Sequence, residues 1–129
     1  MKWLKALFRR KKARSDIPPI PPYEEIVKSL YDKNLCFTDD LTVLRVLYSK
    51  DKTKRFILLK SNKGFYKYMY EEICVCDEDE WSYLYLCKVN DACPAWWETK
   101  DRSVAYSFFG TETEAMLALT SEPEYKLYF

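Results

Sequence analysis

The sequence predicts an α+β domain, an antiparallel β-meander of about five strands with N- and C-terminal helices packed on one face. Three observations carry that expectation. From Thr42 to Phe109 the chain is a series of short runs rich in Val, Ile, Leu, Tyr and Phe, broken by charged or Pro-containing turns. On either side, apolar residues recur at helical spacing behind acidic first turns. Consecutive runs are joined by short turns, which makes neighbouring strands antiparallel.

Residues 1–14 form a basic amphipathic tail with seven Lys or Arg and no acidic residue. The remaining 14 basic residues face all 20 acidic ones, so a +7 tail precedes a −6 body and the net charge of +1 conceals both. Trp3, Leu4, Leu7 and Phe8 share one helical side, followed by Arg9, Arg10, Lys11 and Lys12. The functional reading is an anchor on anionic lipid. The plain alternative is a solubilising tail. Residues 15–22 are a linker, because four prolines between Pro18 and Pro22 enforce an extended spacer.

The single folded domain spans 23–129. Pro22 to Lys33 reads as a helix with an acidic start and an apolar stripe of Ile26, Val27, Leu30 and Tyr31. Residues 42–49 and 55–61 flank a charged turn and form a hairpin. A longer hairpin is expected from 65–76 and 81–89, joined by Asp77, Glu78, Asp79 and Glu80. A short AWWE segment and a strand at 103–109 follow. Thr111 opens the last helix, with Glu114 completing a capping box, and the chain closes in a further helical turn after Pro123.

In the long hairpin, one face would collect Tyr66, Tyr68, Tyr70, Cys74, Cys76, Trp81, Tyr83, Tyr85 and Cys87, with Glu72 beside them. The other face would hold Phe65, Met69, Ile73, Val75, Leu84 and Leu86 as the core beneath the helices. Tyrosine buries a ring while keeping its hydroxyl wet, so the aromatic face reads either as a binding surface or as cross-strand packing. Trp96 and Trp97 point to opposite faces if extended, leaving one half exposed.

Composition closes off much chemistry. There is no histidine, hence no Ser-His or Cys-His pair and no His ligand for zinc. Two glycines, Gly64 and Gly110, cannot build a glycine-rich phosphate loop. The five cysteines, at 36, 74, 76, 87 and 93, are odd in number and follow no signal peptide, which suits free thiols in a reducing compartment. Their spacing lacks zinc knuckles, and Cys87 would lie too far along the hairpin from Cys74. Acidic runs at 39–40, 71–72 and 77–80 read as solvated turns, and they repel phosphate, so nucleic acid is not an expected partner.

These features point to a non-catalytic intracellular module without cofactor or metal. It would bind another, basic protein through Tyr66, Tyr68, Tyr70, Glu72, Asp77, Glu78, Asp79, Glu80, Trp81, Tyr83, Tyr85 and Trp96. In charge and size it resembles small cytoplasmic bacterial immunity proteins and inhibitors, without a shared motif. One alternative is a peripheral protein held at the inner membrane face by residues 1–14. The other is a small enzyme using Cys36 or Cys93 as nucleophile.

Overall fold

Two tight turns set the register of the central sheet. The computed structural model describes residues 17–38, 40–87, 93–100 and 108–129. Strand β1 (Leu41–Tyr48) pairs antiparallel with β2 (Lys54–Ser61), Tyr48 opposite Arg55. In the turn between them, Lys52 adopts a left-handed φ of 64°. The Asp51 carboxylate holds that turn by accepting from Ser49 Oγ at 2.8 Å, Thr53 N at 3.1 Å and Thr53 Oγ1 at 2.7 Å. The next turn uses Gly64 at φ 87°, a conformation open to glycine without a Cβ clash. It leads into β3 (Tyr66–Val75), which pairs with β2, Phe56 opposite Tyr70.

The chain then departs from the expected long hairpin. Residues 81–86 belong to a helix, α2 (Glu78–Leu86), and not to a strand. The alternation in WSYLYL fits a strand, but Asp77 accepts from Glu80 N at 2.7 Å and starts a helix instead. Strand β4 (Ala95–Thr99) follows and pairs antiparallel with β3, Ile73 opposite Trp97. The sheet order is β1-β2-β3-β4. The expected strand at 103–109 lies outside the described residues except at its end, where Phe109 forms an isolated antiparallel bridge with Tyr66.

Helices cover both faces of the sheet, correcting the expectation of one. Helix α3 (Glu112–Thr120) and α4 (Pro123–Tyr128) lie on the face of Phe56, Leu58, Tyr68 and Tyr70, where Ala115 and Leu119 are buried and Tyr125 and Phe129 pack alongside. Helix α1 (Tyr23–Leu30) covers the other face, setting Ile26 and Leu30 against Ala95 and Trp97. The two clusters use residues of opposite parity on β3, which is how one strand serves two cores. Accordingly β2 is buried continuously from Arg55 to Leu59.

Helix α1 stops at Leu30, before the predicted Lys33, because Asp32 and Asn34 turn left-handed at φ 55° and 57°. Arg55 holds this turn from inside. Fully buried, it donates from Nη1 to Lys33 O at 2.8 Å and from Nη2 to Asn34 O at 3.2 Å. Its Nε donates to Glu71 Oε1 at 2.9 Å, and its guanidinium lies 4.2 Å from the centre of the Trp97 ring. Trp97 Nε1 in turn donates to Leu30 O at 2.8 Å, closing the C-terminal end of α1.

Candidate functional site

Helix α2 carries Glu78, Asp79, Glu80, Trp81, Tyr83 and Tyr85 of the residues named from the sequence. Its first turn is Glu78, Asp79 and Glu80, placed at the positive helix end where carboxylates are stabilising. None of its residues is buried, although it carries Trp81, Tyr83, Leu84, Tyr85 and Leu86. Tyr83 is 68% exposed, and Tyr85 and Leu86 are also exposed. A nine-residue helix is marginal alone, so its attachment matters. Trp81 supplies part of it, donating from Nε1 to Pro18 O at 2.8 Å and meeting Tyr85 ring to ring at 6.1 Å. The Asp77 cap supplies another part, and its hydrogen bond to the Glu80 side chain raises the Glu80 pKa.

The sheet tyrosines behave differently, which splits the predicted aromatic surface in two. Tyr68 and Tyr70 are each only 3% exposed, beneath α3 and α4. Their hydroxyls donate to Glu122 Oε1 at 2.6 Å and Glu72 Oε1 at 2.7 Å. Burial and the Glu72 carboxylate push the Tyr70 phenol far above its ordinary value. Tyr66 is half-buried beside Lys60. Tyr68 and Tyr70 thus lie within the core packing, contrary to their expected exposure, and Tyr66 is partly buried against it. Trp96 is exposed on β4, opposite Cys74, whereas Trp97 is the buried member of the pair.

A second polar group lies where β3 meets β4. Cys74 Sγ donates to Glu98 Oε2 at 2.6 Å, and Lys100 Nζ approaches the same carboxylate at 3.0 Å and Glu72 at 3.9 Å. The carboxylate contact raises the Cys74 pKa, and burial raises that of Cys76. Both thiols are thereby held protonated, the opposite of an activated nucleophile. Lys100 already neutralises these carboxylates, and no cluster of three Cys, Asp or Glu able to hold a metal occurs among the described residues.

The candidate membrane residues Trp3, Leu4, Leu7, Phe8, Arg9, Arg10, Lys11 and Lys12 lie outside the described residues. No described helix is long and apolar enough to cross a membrane. The sequence reading placed Leu86 in the core, where the structure exposes it, and did not foresee Trp81 as an anchor. An Asp77-x-x-Glu80 spacing ahead of an acidic turn was the available signal for the helix that places both.

The structure therefore defines an α+β protein with a four-stranded antiparallel meander and an acidic, aromatic helix presented at its surface. No protein-family model matches the chain, and no curated protein or solved structure is significantly similar to it.

Proposed function

We propose that the chain is a non-catalytic protein-binding module that grips a basic partner through α2. One observation carries the reading: a helix that buries none of its residues keeps a Trp, two Tyr and two Leu beside a wholly acidic first turn. Exposed aromatic side chains are costly in water and are favoured anchors at interfaces. The adjacent carboxylates supply long-range attraction to a cationic surface. An immunity- or inhibitor-type role fits this pairing of steering charge with anchoring rings.

Affinity capture from the native host tests it, using the full chain, a Tyr83→Ser/Tyr85→Ser variant and a Glu78→Lys/Asp79→Lys variant. A partner held by the unaltered chain should be lost by the first variant. With the second, its association rate should fall and lose its salt dependence. A partner retained equally by all three would refute the assignment to α2.

A further inference from the structure

We propose that the outer edge of β1 is the seam of a symmetric homodimer, in which two four-stranded sheets join edge to edge. Strand β1 is outermost, and among the described residues no strand pairs with its outer side. Ser49 N donates inward to Lys54 O at 2.9 Å. By antiparallel alternation, the N–H and C=O groups of Tyr48 and Val46 then point away from β2. Proteins protect such edges by keeping them short, by bulges, or by placing Pro and Lys on them. The other edge, β4, is five residues long with Pro94 just before it and Lys100 just after. Strand β1 has neither Pro nor Lys, and Arg45 is its only charge, but its register shifts between Val43 and Arg45, so the regular part of the edge runs from Arg45 to Tyr48. At about 3.4 Å per residue, that regular stretch offers a short seam of about 14 Å.

Side chains beside this edge point to a second copy as its occupant. A groove of about 390 Å³ runs between β1 and α3, lined by Arg45, Glu112, Met116 and Leu117 among others. Leu117 is 63% exposed there. A two-fold axis at Val46 sets Arg45 opposite Leu47 of the second copy and makes the two Arg45 residues diagonal neighbours, about 7–8 Å apart. Two like charges that close repel unless they are neutralised. Glu112 lies 3.3 Å from Arg45 Nε in its own copy, and both side chains remain open to solvent. Two Arg45 and two Glu112 thus form a charge-balanced, self-complementary cluster over the seam. The same symmetry brings the exposed Leu117 sides of both α3 helices onto one face of the joined sheet. A chain with a net charge of +1 opposes such self-association only weakly.

Sedimentation equilibrium of the full chain tests the proposal. The unaltered protein should be a reversible dimer in the micromolar range. Val46→Pro removes an outward N–H that no ladder bond within the monomer uses, so it should give a folded monomer whose melting no longer depends on protein concentration. Arg45→Glu and Glu112→Arg should each dimerise about tenfold more weakly, while an equal mixture of the two variants recovers association through opposite charges. That mixture decides the matter if Val46→Pro fails to fold. A monomeric unaltered chain overturns the proposal, even if its edge captures an extended segment of another protein. So does a dimer indifferent to Val46→Pro, or a mixture of charge variants that does not associate. The proposal does not rest on α2, and Tyr83→Ser should leave the dimer intact.

Discussion

Replacing Arg55 with Met should cost the fold about 3–5 kcal/mol, the range for removing one partner of a buried ion pair. The Arg55 side chain is 0% exposed, and each of its N–H groups has a partner. Glu71 Oε1 accepts from Nε at 2.9 Å and from Nη2 at 2.8 Å. Lys33 O, Asn34 O and, at 3.5 Å, the Tyr48 hydroxyl take the remainder. Methionine fills much of the same volume, so a cavity is the smaller part of the loss. The larger part is a buried Glu71 carboxylate left with Thr99 Oγ1 at 3.1 Å as its remaining hydrogen-bond donor. Two loop carbonyls also lose their donors, at about 1 kcal/mol each. Domains of this size are stable by about 5–15 kcal/mol, so the variant should sit near the edge of folding.

Urea unfolding followed by far-UV circular dichroism measures the loss, with a midpoint shift of about 2 M for an m-value near 2 kcal/mol/M. The double variant Arg55→Met/Glu71→Leu separates charge burial from packing. With neither charge left, the cost should shrink to about 1–2 kcal/mol. Hydrogen exchange at the Asp32 amide, which donates to Tyr48 Oη at 2.9 Å, should speed up in the single variant as the turn loosens. A single variant within about 1 kcal/mol of the unaltered chain, or a double variant worse than the single one, would refute this account of the buried pair.

Leu119→Ala should cost about 2–5 kcal/mol because its side chain is wholly buried, whereas Leu117→Ala on the same helix should change stability by less than about 0.5 kcal/mol. Thermal melts of the two variants give the contrast. Asp77→Ala should destabilise α2 by about 1 kcal/mol, seen as faster exchange of the amides of 80–83 with little effect on the sheet. The Thr53 and Ser49 hydrogen bonds hold the Asp51 pKa down at about 2, so its contribution is complete above the ordinary carboxylate value and lost as pH falls through about 2. As Asp51 is exposed to solvent, that contribution is on the order of 1 kcal/mol, and Asp51→Asn should flatten the acid limb of a stability–pH curve. Cys74 should alkylate with iodoacetamide several-fold more slowly than exposed Cys36, and Glu98→Gln should speed it, as read by mass spectrometry.

Where local rules and tertiary packing agreed, the sequence was readable. The first hairpin lies within one residue of its expected bounds, because a charged turn and alternating strands left one register. Thr111 caps the last long helix as its spacing implied, accepting from Glu114 N at 3.1 Å. The second hairpin misled because Trp and Tyr favour strands and WSYLYL alternates, while the cap at Asp77 is a single local contact that decides the outcome. Sheltering of both sheet faces was legible in the unbroken Phe56-Ile57-Leu58-Leu59 run, since a strand with one wet face alternates. Arg55 was not legible. Arginine belongs to the surface by composition, and only its pairing with Glu71, directly opposite on β3, reveals a buried role.

That buried pair also bears on the proposed contact surface. Trp81 ties α2 to Pro18, and the chain from Pro18 enters α1 through Ile20, which packs with Ile26, Leu30 and Trp97. Helix α1 is in turn fixed at its end by Trp97 Nε1 on Leu30 O and by Arg55 on the Lys33 and Asn34 carbonyls. The exposed helix is thus tied to the sheet at Asp77 and, through α1, at a site deep in the opposite core. A surface that anchors a partner through aromatic rings gains affinity when those rings are already fixed in place. Burying a charged residue beneath α1 is costly, and what the geometry shows in return is a hydrogen-bonded end of α1, to which α2 is joined through Pro18.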